Sequence, residues 1–167
     1  MSQPSLSRRE FLSGHRSEVY AGICPPGTSA EALIEACTGC GRCEERCPTN
    51  IIRLTGGFPS LDFMRGECTF CGECKDACPE PVFASEPVDR FPHIAAVSDG
   101  CLAKQDIACQ SCGETCPEQA IRFRPRIGGP FVPELNGDVC SGCGACLAIC
   151  PVGALTLILR TTEMANA

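Results

Sequence analysis

Cys37-Thr38-Gly39-Cys40-Gly41-Arg42-Cys43-Glu44-Glu45-Arg46-Cys47-Pro48 sets four cysteines at intervals of two, two and three residues and closes them with a proline. The same C-x2-C-x2-C-x3-C-P run returns at Cys68, Cys71, Cys74, Cys78 and Pro79, and again at Cys140, Cys143, Cys146, Cys150 and Pro151. Between them lies a looser copy. Cys109, Cys112, Cys116 and Pro117 keep the spacing, but Cys101 stands eight residues before Cys109. The four copies use sixteen of the seventeen cysteines and leave Cys24 over.

The rest of the composition says why so many thiols are needed. The chain has 167 residues, 14 Pro, 17 Gly, no Trp and only 5% aromatics, so little apolar area is available to offset chain entropy. Cross-links must fill the gap, either disulfides in an oxidising compartment or coordinated metal in a reducing one. An odd cysteine count leaves one thiol unpaired in an all-disulfide scheme. Zinc sites pair two knuckles across a gap of about 12 to 20 residues and often recruit histidine. Here each quartet is compressed and ends in Cys-Pro, while the only histidines, His15 and His93, lie outside the quartets and read as solvated loop residues. The spacing matches the run by which bacterial ferredoxins hold 4Fe-4S clusters.

A cubane presents four irons, each wanting a soft thiolate, and C-x2-C-x2-C supplies three from one tight loop. A short helical turn such as Glu44-Glu45-Arg46 then carries the fourth cysteine away, and the proline ends it. Gly41, Gly72 and Gly144, after the second cysteine of the regular repeats, let the backbone bend around inorganic sulfide. The expectation is four 4Fe-4S clusters on sixteen ligands. In one pairing Cys37, Cys40 and Cys43 join Cys78, and Cys68, Cys71 and Cys74 join Cys47. The later pair joins Cys101, Cys109 and Cys112 with Cys150, and Cys140, Cys143 and Cys146 with Cys116. Pairing the second repeat with the third and the first with the fourth is also geometrically allowed. The third repeat reads as a full quartet with a bulged loop, the alternative being a 3Fe-4S or labile site with Cys101 a bystander. Cys24, in Ile23-Cys24-Pro25-Pro26-Gly27, reads as a spare thiol.

The intervening segments predict an α+β fold of two ferredoxin-like βαββαβ dicluster modules, rich in loops and organised by the clusters. A strand is expected after each Cys-Pro, with hairpins at Ile51–Leu54 and Phe58–Phe63 and at Ala120–Phe123 and Phe131–Leu135. The polar, proline-rich stretch 84–92 marks the connection. The division is an N-terminal arm 1–28, a first module 29–86, a linker 87–96, a second module 97–160 and a flexible tail 161–167. Thr28-Ser29-Ala30-Glu31 reads as a capping box opening a helix through Ile34 and Ala36 that covers the first cluster loop.

The formal charge is −6 with neutral thiols, and four oxidised clusters with their thiolates bring it to about −14. That disfavours nucleic acid; the acidity suits partners with basic patches or serves only to keep a cysteine-rich chain in solution, and charge alone does not choose between them. Ser7-Arg8-Arg9-Glu10-Phe11-Leu12 looks like the start of a twin-arginine signal. The apolar stretch an export signal needs does not follow, since Ser13-Gly14-His15-Arg16-Ser17-Glu18 is polar and charged. No run is long enough to span a membrane. The expected location is cytoplasmic, with Arg8 and Arg9 in a docking arm.

The four repeats, the expanded Cys101-Leu102-Ala103 to Cys109-Gln110-Ser111-Cys112 copy, the Ser-Arg-Arg start without a signal core, and Pro25-Pro26 together resemble the NapF family. These are ferredoxin-type accessory proteins of the bacterial periplasmic nitrate reductase system. The resemblance spans nearly the whole chain. It implies a cytoplasmic protein that contacts the catalytic molybdenum subunit prior to export and assists its maturation. The residues themselves leave two other functions open: a general electron carrier or wiring subunit of an oxidoreductase, and a non-redox scaffold in which clusters only hold the fold. No acid-base pair, phosphate loop or substrate constellation accompanies the cysteines, so an independent enzyme is not expected.

Overall fold

Three antiparallel strand pairs and five helices of seven residues or fewer make up the regular structure among the described residues. The structure is a computed structural model and describes residues 20 and 22–160. Ser7 to Leu12, His15 and the tail 161–167 lie outside them. In chain order the elements are α1 (Ala30–Ala36), α2 (Arg42–Arg46), β1 (Ile52–Thr55), β2 (Phe58–Leu61), α3 (Glu73–Asp76), β3 (His93–Val97), α4 (Ser111–Thr115), β4 (Ile121–Arg126), β5 (Gly129–Leu135), α5 (Ala145–Ala148) and β6 (Leu155–Leu159).

Both expected hairpins form. β1 pairs with β2 through a two-residue loop in which Gly56 and Gly57 both have positive φ, matching the twist of the strands. β4 pairs with β5 across a register shift at Arg124/Arg126, where Pro125 has no amide to give the ladder. The helix before the first quartet is also present, but its cap is Ser29, one residue later than expected, and its hydroxyl accepts from Ala32 N at 3.2 Å.

The third strand pair overlaps the expected linker 87–96. Residues 93–97, just after the proline-rich stretch, form β3, which runs antiparallel to β6 from His93↔Leu159 to Val97↔Leu155. The second half therefore reads β3-α4-β4-β5-α5-β6, the full βαββαβ order. In the first half the described residues carry only α1-α2-β1-β2-α3, with no strand after Cys78. Prolines explain the difference. After Cys47, Cys116 and Cys150 the chain closes a turn, in which Asn50 N, Gln119 N and Gly153 N donate to the cysteine carbonyls at 3.1, 3.1 and 3.3 Å. Each of these residues is left-handed, with φ of 54, 51 and 60°. After Cys78 the matching position is Pro81, which has no amide and a φ locked near −65°. The turn cannot form there, so the chain is not returned as a strand.

The core is split into small clusters that include the cysteines themselves. Cys47 and Cys74 pack with Ile51, Ile52, Leu61, Phe63 and Phe91, while Cys112 and Cys146 pack with Ala95, Ile121 and Leu155. Leu147 touches both clusters and joins the two halves. At this junction the rings of Phe91 and His93 stack at 4.8 Å and Phe63 meets Phe91 edge-on at 5.9 Å. His93 is thus buried, 7% exposed, and not a solvated loop residue as its sequence surroundings suggest.

Candidate metal centres

Each quartet of sulfurs walls one cavity. Cys37, Cys40, Cys43 and Cys78 line the first; Cys47, Cys68, Cys71 and Cys74 line the second. Cys101, Cys109, Cys112 and Cys150 line the third, and Cys116, Cys140, Cys143 and Cys146 the fourth. Repeats one and two therefore exchange their last cysteines, as do repeats three and four, and the alternative pairing is not formed. Each of the four cavities has a volume of about 20 Å³ and is lined by four cysteines. Among the described residues no three His, Cys, Asp or Glu groups are arranged to hold a single metal ion.

Local structure places each sulfur. In the regular repeats the glycine after the second cysteine adopts φ of 81, 80 and 84° at Gly41, Gly72 and Gly144, and a helix carrying the third cysteine starts there. In the third repeat Gln110 takes this position at φ −136°, and α4 begins without the left-handed step. The insertion before it is a single helical turn, with Gln105 N bonded to Cys101 O at 3.0 Å. It is tied down at both flanks. Lys104 Nζ donates to Val97 O at 3.0 Å, and Arg126 reaches Ala103 O and Asp106. Ala103 is fully buried beneath it beside Cys101 and Ala154. Cys101 is consequently brought into the cavity wall despite its drifted spacing. Cys24 packs with Leu33, Phe58 and Val82 and lines none of the four cavities.

Burial dominates the electrostatics. It pushes the thiols of Cys43, Cys68 and Cys112 up to about 11 and those of Cys74 and Cys146 up to about 12, with neighbouring thiols of the same quartet adding to it. The Cys24 thiol is likewise raised by burial, which argues against a poised thiolate there. Thiols raised in this way become thiolates only beside strong positive charge, which iron supplies. Some sulfurs also accept hydrogen bonds from the chain. Ala120 N and Ala154 N donate to the sulfurs of Cys116 and Cys150 at 3.3 and 3.2 Å. At Cys47 burial is outweighed by hydrogen bonds from the Thr49 hydroxyl and from the amides of Ile52, Ile51 and Thr49, and the thiol lies below its ordinary value. Ser141 is buried in the wall of the fourth cavity, and its hydroxyl offsets part of the burial that raises the Cys143 thiol. The donor set, four cysteines to each cavity, fits 4Fe-4S clusters.

A family model for a 4Fe-4S dicluster domain matches residues 36–82 and 107–154. Ferredoxin-type protein NapF of Escherichia coli is 41% identical over 152 residues, covering 90% of this chain and 93% of the relative. NapF of Haemophilus influenzae is 42% identical over 171 residues, covering 94% and 96%. The chain belongs to the NapF family of ferredoxin-type iron-sulfur proteins. A component of an ion-translocating oxidoreductase complex from Methanosarcina acetivorans is also similar, at 36% identity over 140 residues, covering 77% of this chain and 49% of that component. Within this NapF-family chain the second dicluster match begins after Cys101, so only folding places that thiol with Cys109, Cys112 and Cys150.

Residues outside the repeats also shape the centres. His93 Nε2 and Arg160 bind loop carbonyls of the fourth repeat, at Gly142 and Cys140. Neither carries a motif, and only the antiparallel pairing of β3 with β6 brings them there. The described helices include none long and apolar enough to cross a membrane.

Proposed function

We propose that this chain holds four 4Fe-4S clusters, one on each of the quartets above, and serves in the cytoplasm as a maturation factor for the molybdenum-containing catalytic subunit of periplasmic nitrate reductase before its export. The carrying observation is the set of four cavities, each lined by four cysteines drawn from two repeats. Membership of the NapF family directs the reading to the nitrate reductase system. The two halves act as two dicluster modules, the second starting at β3 and shortening the linker to 87–92. When bound, the clusters supply one-electron redox capacity; the chain supplies thiolates, backbone donors and an apolar wall that limits water.

Anaerobic purification tests the first part: about sixteen irons and as many sulfides per chain support it, and zinc-only protein sinks it. Capture from anaerobic extracts tests the second. The precursor form of the catalytic subunit is expected to copurify, and exclusive recovery of a membrane oxidoreductase would replace this reading. The similarity to a component of an ion-translocating oxidoreductase favours that second reading, in which the clusters serve general electron transfer.

A further inference from the structure

The loops of the second and fourth quartets touch. Cys68 N, from the first cysteine of the second quartet's loop, donates to the carbonyl of Cys143 at 2.9 Å. Cys143 is a wall residue of the fourth cavity, as Cys68 is of the second. Phe91 N also donates to Ser141 O at 2.8 Å, inside the same loop. The surfaces behind these bonds are fitted closely. A Cβ at Gly144 would overlap the Phe63 ring, and Leu147, one residue after Cys146, packs on the cluster holding Cys47 and Cys74. No other pair of quartets from opposite halves shares a backbone hydrogen bond between cysteines among the described residues.

Within each half the quartets are neighbours by construction, because they exchange their fourth cysteines. Cys43 of the first quartet packs against the cluster containing Cys47 and Cys74 of the second. Cys112 of the third shares a cluster with Cys146 of the fourth. Resting on the reading of the quartets as iron-sulfur sites, we infer that the four sites form one continuous series, first-second-fourth-third, closed across the two halves by the Cys68 to Cys143 contact. Two separate pairs are excluded by this geometry. The chain order of the repeats is not their spatial order, and the irregular third site lies at one end. Phe63, Gly144 and Leu147 are positioning residues that hold the central step short.

Electron paramagnetic resonance of the fully reduced, anaerobically purified whole chain tests the order. Cys40→Ala removes a wall sulfur of the first site and is expected to leave about twelve irons in three sites. In a continuous series the second site still has the fourth beside it, so every remaining signal stays broadened and fast-relaxing. An isolated, slowly relaxing spectrum of about one spin from the second site would overturn the series. Cys109→Ala tests the mirror case, in which an isolated fourth site is the overturning result, and it decides the matter if Cys40→Ala loses more than one cluster. Cys71→Ala is expected to do the opposite and leave the first site isolated; coupling retained there would overturn the proposed order. Wild-type protein without iron would overturn the metal-centre reading itself, an outcome separate from a sixteen-iron protein whose variants show uncoupled pairs.

Discussion

His93 Nε2 donates to the carbonyl oxygen of Gly142 at 2.9 Å, across 49 residues of chain. A carbonyl only accepts, so Nε2 carries a proton in this bond. Burial between Phe63 and Phe91 lowers the imidazole's proton affinity, and the nearby Arg160 guanidinium lowers it further, against the opposing pull of the Gly142 bond. A folded-state value below the unfolded value of about 6.5 means the unfolded chain binds the extra proton first. Stability is therefore flat above about pH 6.5 and falls as pH drops through it. Thermal denaturation of the anaerobic protein from about pH 7.5 to 5.5 checks this. His93→Gln keeps a donor for Gly142, and its melting temperature should lose the acid-side slope; an unchanged slope would assign it to another group.

Gly72 and Gly144 occupy equivalent places in their repeats, with φ of 80 and 84°, but meet different surroundings. A Cβ at Gly72 meets nothing within 4 Å, whereas at Gly144 it overlaps the Phe63 ring. Gly72→Ala should cost only the left-handed strain, about 1 kcal/mol. Gly144→Ala adds overpacking at the junction, for a total of about 3 kcal/mol. Paired thermal melts with iron analysis compare them. Equal losses would show that the junction yields easily.

The repeats were legible because cluster chemistry is local: three thiolates must come from one tight loop, so spacing alone marks Cys37 to Cys43 or Cys140 to Cys146. Which fourth cysteine closes which quartet is not local. Cys47, Cys78, Cys116 and Cys150 share one sequence context, and only the packing of α2 on α3 and of α4 on α5 separates the alternatives. β3 was hidden for a related reason. His93-Ile94-Ala95-Ala96-Val97 follows a polar, proline-rich stretch, and its partner β6 lies more than fifty residues on. The missing strand after Cys78 was legible in retrospect, because Pro81 replaces the residue that must turn left-handed and donate an amide.

Arg160 clamps the loop of the fourth repeat by donating from Nε to Phe91 O at 3.1 Å, from Nη1 to Gly137 O at 2.7 Å and from Nη2 to Cys140 O. One planar guanidinium serves three carbonyls, one just before β3 and two in the loop between β5 and α5. Arg160→Ala leaves all three to be satisfied by water and should cost about 2 kcal/mol. Arg160→Lys should recover less than half, because an ammonium on a single stem cannot span the three directions. The sharper readout is oxygen lability: if the proposed clusters are present, the one on the fourth quartet should be lost first on brief air exposure, followed by absorbance and iron release. Loss of the first-quartet cluster ahead of it would show that the clamp does not protect its loop.

Cys101 and Cys24 provide the contrast that tests the irregular repeat. Cys101 is buried and lines the third cavity, while Cys24 sits in the apolar cluster with Leu33 and Phe58. Cys24→Ala should keep all the iron and cost about 1 kcal/mol from lost packing. Cys101→Ala removes one of four thiolates, so the third site should hold a 3Fe-4S species or empty, lowering iron by about one to four atoms per chain. Oxidised-state paramagnetic resonance separates these results, since a 3Fe cluster is visible there and an intact oxidised cubane is silent. If Cys24→Ala lost iron and Cys101→Ala kept it all, the fourth ligand of the third site would be the arm thiol, and the insertion between Cys101 and Cys109 would serve only the packing of Ala103.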